Sequence, residues 1–123
     1  MNSPAQLRGS EWEAAAARML AAAGLRVLTR SYRCRAGELD LVCLDGEQLV
    51  IVEVRARRGL SHGGAAASID GRKRRRIVLA TRHFLMMHPD LADAPVRFDV
   101  VAIDRADDRR PQVRWIRNAF DGA

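Results

Sequence analysis

Cysteine is scarce in this chain: Cys34 and Cys43 stand nine residues apart, with no second Cys or His pair at zinc-ligand spacing. A disulfide framework and a structural zinc site are thereby excluded, and both residues read as free thiols. No apolar run approaches the roughly 20 residues needed to cross a bilayer, and Met1 to Ser10 lacks the apolar stretch of a secretory signal, so a cytoplasmic protein with no membrane partner is expected. Aromatic residues are only 5% of the chain, which argues against a protein that grips single strands by base stacking. Lysine is almost missing. Of 21 Lys and Arg residues only Lys73 is lysine.

What is present points to a folded, basic protein. With 123 residues and 48% hydrophobic content, a single domain spanning 1–123 with an ordered core over about 9–120 is expected. The net charge of +6 is carried almost wholly by arginine, which offers phosphate a planar, bidentate donor, and a nucleic-acid partner leads on that ground. Compositional bias of the source genome would also produce arginine in place of lysine, but it leaves the positive field intact.

The stretch SEWEAAAARMLAAA, residues 10–23, is rich in strong helix formers, with Ser10 placed as N-cap, Glu13 at the capping-box position and Gly24 as the stop. Leu25, Val27 and Leu28 then lead into the basic segment Thr29 to Arg35, read as a strand running into a loop. Residues 38–44 (ELDLVCL) and 48–55 (QLVIVEVR) are apolar runs around Asp45-Gly46-Glu47, a strong antiparallel-hairpin signal. Glycines and alanines predict a mobile loop over 56–68, and a second helix follows from Asp70 or Gly71 to about Met87, before Pro89. VRFDVVAI, residues 96–103, alternates as a strand. A charged loop over 104–110 and a short strand over 112–116 close the order α-β-β-β-α-β-β.

Acids interrupt the apolar pattern of the hairpin. A tight turn on either Asp45-Gly46 or Gly46-Glu47 gives an odd pairing sum, 91 or 93, which places Asp40 and Glu53 on one face of the sheet. In the second register they stand opposite one another with Cβ atoms about 5 Å apart. Two such carboxylates repel and are poorly solvated, and a shared cation relieves both costs. Magnesium suits the arrangement, with manganese as a substitute, because it takes hard oxygen ligands and needs only one or two carboxylates. The spacing alone equally allows two acids at strand ends facing water, with Arg55 and nearby arginines as partners.

Arg72, Lys73, Arg74, Arg75 and Arg76 crowd the start of the second helix, where cations oppose the helix dipole. A phosphate ligand would relieve that strain, and a solvated face is the bland alternative. At about 100° per residue Arg72, Arg75 and Arg76 form one side, whereas Lys73 points elsewhere with Ile77. Arg57, Arg58 and His62-Gly63-Gly64 follow the acidic strand directly and extend the basic surface. His83 and His88 are expected to be structural or exposed, and Trp12 and Trp115 to be core or partial-core residues rather than base-stacking platforms.

Taken together, GSEWEAAA at 9–16, GELDLV at 37–42, VEVRARR at 52–58, RFDVVA at 97–102 and NAF at 118–120 resemble the YraN-like family of bacterial proteins over nearly the whole chain. That family is similar to archaeal Holliday-junction resolvases and to the PD-(D/E)XK nucleases, so the resemblance implies a restriction-endonuclease-like α/β fold: a mixed sheet flanked by helices. It makes Asp40 the first metal ligand, Glu53 the acid of the (D/E)XK element, Arg55 the occupant of its lysine position and Glu13 a third acid of the metal site, with Glu38 serving only locally. Lys73 matches a lysine of the family and is the phosphate contact nearest the site. Arg55 departs from the superfamily pattern, because arginine stays protonated and cannot act as a base near neutral pH, although it can stabilise phosphoryl charge.

The resulting expectation is a magnesium-dependent endonuclease acting on DNA, branched or otherwise structured, working as a homodimer as resolvases do. Asp40, Glu53, Arg55 and Glu13 form its catalytic set, and Lys73, Arg57, Arg58, Arg72, Arg75 and Arg76 its nucleic-acid contacts. The alternatives are a catalytically silent nuclease-fold module that binds nucleic acid, and an interaction protein docking through an exposed edge or helix on an acidic partner.

Overall fold

A computed structural model describes residues 4–58, 69–105 and 112–122, with side chains described over 11–56, 69–104 and 112–122. Its elements are α1 (Pro4–Ala22), β1 (Arg26–Cys34), β2 (Gly37–Asp45), β3 (Gln48–Arg58), α2 (Gly71–Met87), a short 3-10 turn at Pro89–Leu91, β4 (Val96–Arg105) and β5 (Gln112–Phe120). The order α-β-β-β-α-β-β and the mixed sheet agree with the sequence reading. The five strands lie in the order β1-β2-β3-β4-β5. Three neighbouring pairs are antiparallel; β3 and β4, joined through α2, run parallel.

Alternation along β3 distributes its side chains to two cores. Leu49 and Ile51 pack with Ile77, Ala80 and Phe84 of α2, while Val50 and Val52 pack with Ala16 and Leu20 of α1. Each helix therefore covers one face. Phe84, 2% exposed, anchors the α2 side, and burial of such a ring is worth about 2–3 kcal/mol. Asp70 caps α2 by accepting the Lys73 backbone N–H at 2.9 Å.

Several boundaries differ from the sequence reading, each for a tertiary reason. Helix α1 begins at Pro4, so Ser10 lies inside it and is not its N-cap. Its end is as expected: Gly24 takes φ +101° while the Leu25 amide donates to the Leu20 carbonyl at 3.0 Å. Strand β1 continues to Cys34, where a loop was expected. A register shift between Val27 and Thr29, together with φ +53° at Ser31, hides its period of two. Ala56 to Arg58 belong to β3, held by the parallel ladder that pairs Arg58 with Arg105. Asp104 lies in β4, 5% exposed and 3.2 Å from the Arg114 guanidinium, not in a charged loop. Strand β5 runs on to Phe120 past Asn118, whose φ is +52°. The expected mobile segment 59–68, with His62, lies outside the described residues.

Both sheet edges carry arginines, Arg26, Arg30 and Arg33 on β1 and Arg114 and Arg117 on β5, and both are interrupted by register shifts, which opposes edge-to-edge pairing. The region where β4 meets β5 is fixed by Asp99. Fully buried, Asp99 accepts two bonds from Arg97, one from the Trp115 indole at 2.9 Å and one from the Asn118 amide at 2.9 Å. Cys34 and Cys43 are free thiols, and burial pushes the Cys43 thiol up to about 12, which leaves it inert. Among the described residues no helix is long and apolar enough to cross a membrane.

Candidate metal centre

The hairpin turns on Gly46-Glu47, pairing Asp45 with Gln48 and Leu41 with Val52, a sum of 93. Of the two registers open in the sequence, this is the one that sets Asp40 across from Glu53. The ladder stops at Leu41 and Val52, and beyond it carboxylates replace backbone carbonyls. The Asp40 amide donates to Glu53 Oε2 at 3.1 Å, and the Val54 amide donates to Asp40 Oδ2 at 2.8 Å. Two backbone donors that would otherwise be orphaned are thus satisfied by side chains, and the strands part to make room for them.

Strict alternation, on which the same-face argument relies, does not hold through this point. Leu39 and Val42 are three residues apart yet both belong to the α2-side core, so the facing of β2 changes between them, around Asp40. Just before the break, Gly37 takes φ +152°, in the region that side chains disfavour, and begins the strand close to Arg76 of α2. The break brings together oxygens from two elements: one carboxylate oxygen each of Glu13 on α1 and Glu38 and Asp40 on β2 lie within 4.8 Å of one another. Glu13 accepts from the Ser31 hydroxyl at 3.0 Å, and Glu38 lies 3.6 Å from the exposed Arg33. Glu38, expected to serve only locally, is a full member of the cluster. Its shared alternation with Asp40 in GELDLV was the available signal, whereas nothing in the sequence marked Ser31.

Glu53 stands across the fork, in series with Leu49 and Ile51 and therefore turned toward α2. It is 1% exposed, and its Oε1 has no hydrogen-bond partner. The nearest cation is Lys73 Nζ at 3.8 Å, close enough for charge attraction but too far for a hydrogen bond. Burial first, and the Asp40 charge second, push the Glu53 carboxyl up to about 8 against the opposing pull of the Asp40 amide, Lys73 and Arg55. Burial likewise raises Asp40 to about 6, opposed chiefly by the Val54 amide.

The remaining candidates are more dispersed. Arg55 is half-buried on β3, and its charge bears on Glu53. Arg72, Arg75 and Arg76 are exposed on α2 with no ion pair among the described residues, while Lys73 turns inward beside Ile77. The side chains of Arg57 and Arg58 lie outside those described. His83 is exposed and bonded to the Tyr32 hydroxyl, and His88 stacks on Phe84, structural roles in both cases. Trp12 and Trp115 are half-buried against the α1-side core.

The chemistry of this donor set fits a hard divalent cation. It supplies oxygens only, from two elements, and Glu53, whose other oxygen has no partner, is bonded through Oε2 to the Asp40 amide.

Comparison with known proteins places the chain. The model of "Uncharacterised protein family UPF0102" matches residues 12–103. The chain belongs to the UPF0102 family, the YraN-like family whose motifs it carries. It is 46% identical over 121 residues to a UPF0102 protein of Pseudomonas fluorescens (strain Pf-5), covering 98% of each chain. It is 52% identical over 120 residues to UPF0102 proteins of Xanthomonas campestris pv. campestris (strain B100) and Xanthomonas oryzae pv. oryzae (strain PXO99A), covering 98% of this chain and 96% of theirs. The UPF0102 match begins at Trp12, so it takes in Glu13, Glu38, Asp40, Glu53 and Lys73.

Proposed function

We propose that this UPF0102 protein is a metal-dependent endonuclease acting on DNA, branched or structured DNA in particular, by phosphodiester hydrolysis. The observation that carries the reading is the convergence of one carboxylate oxygen each of Glu13, Glu38 and Asp40 within 4.8 Å, with buried Glu53, its Oε1 unpartnered, tied to Asp40 through the Asp40 amide. Glu13, Glu38 and Asp40 would hold a magnesium or manganese ion, with Glu53 completing the site from β3. When bound, such an ion supplies Lewis-acid stabilisation of phosphoryl charge and acidifies water.

The chain's own residues do the positioning. The Val54 amide aims Asp40, and the Asp40 amide aims Glu53. Lys73, delivered by α2 to 3.8 Å from Glu53, provides the lysine charge that Arg55 replaces at the motif position. It balances Glu53 in the resting site and stabilises negative charge on the phosphate under attack, with Arg55 adding to that field. By the resemblance to resolvases, the active species is a homodimer.

The test is cleavage of linear, nicked and four-way-junction DNA with magnesium or manganese, comparing the parent with Asp40→Asn, which keeps an oxygen for the Val54 amide. Metal-dependent cleavage by the parent and its loss in the variant are expected. No cleavage by the parent, or equal cleavage by both, would overturn the reading. Arg55 at the lysine position favours a second reading, a silent nucleic-acid-binding module, which predicts salt-sensitive binding in EDTA without cleavage.

A further inference from the structure

The side of α2 facing β5 contributes to a groove of about 600 Å³ lined by Arg74, Arg75, Val78, Leu79, Arg82 and Phe120. Arg74 lies over the Phe120 ring, its guanidinium 5.3 Å from the centroid, and Phe120 in turn stacks on Phe98 at 5.0 Å. The arginine wall is thus pinned to the core at one point. Arg75 and Arg82 are exposed, and among the described residues no carboxylate forms an ion pair with any of the three; Asp121 adds the carboxylate at the rim. Leu79, 43% exposed, gives the floor an apolar strip.

We infer that this groove is the track for the phosphodiester backbone of the bound nucleic-acid strand. Three arginines on one helix flank focus positive potential along a line, and guanidinium groups present paired donors that match phosphate oxygens. Seven residues of helix separate Arg75 from Arg82, about 10 Å along the axis, far enough for the two guanidinium groups to meet separate phosphates of one strand. Gly71, two residues before Lys73, lines one end of the groove, so that end belongs to the same first turn of α2 that carries the lysine beside Glu53. The assignment differs from the sequence reading of the basic run: Arg74, Arg75 and Arg82 form the track, whereas Arg72 and Arg76 lie off it. It deepens the nuclease reading by naming where the substrate lies, and it can be measured without cleavage.

The experiment is fluorescence anisotropy of a labelled DNA duplex in EDTA over a salt series. It compares the parent, Arg75→Ala/Arg82→Ala, and the control Arg18→Ala/Arg26→Ala, which loses the same charge from α1 and β1. All four positions are exposed, and thermal melts verify folding. The groove variant is expected to bind about tenfold more weakly near 0.1 M salt and to lower the log–log salt slope by roughly 2, at about 0.9 per phosphate contact, with the control within about twofold of the parent. Equal losses in both variants would overturn the inference, as would a polyglutamate peptide displacing DNA at equal charge concentration. Groove-dependent binding by a protein that never cleaves would uphold the track and sink the nuclease. Metal-dependent cleavage and binding indifferent to Arg75 and Arg82 would do the reverse.

Discussion

Replacing Glu53 by glutamine should make the metal-free protein more stable, most of all at alkaline pH. Glu53 is 1% exposed, one oxygen is held by the Asp40 amide and the other has no partner. Burial and Asp40 raise its carboxyl from 4.5 to about 8. The folded state therefore retains a proton that the unfolded chain releases, so this contribution is intact below about pH 4.5 and is lost as pH rises toward 8. At about 1.4 kcal/mol per pH unit the gap sets a ceiling of about 5 kcal/mol; Asp40 and Lys73 share in the same charge balance, which brings the expected effect to roughly 2 kcal/mol. Glutamine keeps an oxygen for the Asp40 amide and carries no charge to desolvate. Urea denaturation in EDTA should show Glu53→Gln ahead of the parent by about 2 kcal/mol at pH 8.5, equivalent to several degrees in Tm, and nearly level with it at pH 5. Added magnesium should then stabilise the parent more than the variant. A variant less stable than the parent at pH 8.5, or a gap that ignores pH, would refute the description of Glu53 as a buried, undercompensated acid.

Two further outcomes follow from the same geometry. Lys73→Met removes the cation beside Glu53 and should lower metal-dependent cleavage by on the order of 100-fold, while DNA binding in EDTA weakens by less than about threefold; equal losses in both assays would reduce Lys73 to one more surface charge. Asp99→Ala leaves the Arg97 guanidinium, 15% exposed, without its bidentate partner and frees the Trp115 and Asn118 donors. A loss of about 3 kcal/mol in urea denaturation is expected, and a loss under 1 kcal/mol would show the network to be dispensable.

The fold was legible where local chemistry and tertiary packing agree. Apolar alternation and Asp45-Gly46-Glu47 marked the hairpin, and the apolar stripe from Ile77 to Phe84 with Asp70 and Pro89 at its ends marked α2. Periodicity failed where a strand bends: φ values of +53° at Ser31 and +52° at Asn118 shift side chains out of step, so β1 and β5 are longer than their alternation suggests. The charged segments Arg57–Arg58 and Asp104–Arg105 looked like loops because the parallel partner that holds them lies some fifty residues away. At the candidate site, parity put Asp40 opposite Glu53. Alternation also put Glu38 on the face of Asp40, but it could not show that β2 changes facing around Asp40 or that α1 delivers Glu13 to the same pair. Lys73 was singled out by the family resemblance, but its approach to Glu53 depends on how α2 packs, which spacing does not encode.

The central claim is that these acids form a divalent-metal site, and a crystal soaked in manganese tests it most directly by anomalous scattering. A peak bounded by Glu13, Glu38 and Asp40, with Glu53 Oε1 turned to the ion and Lys73 displaced from it, is the expected result. A map with no peak there, and Glu53 still facing Lys73, would contradict the account.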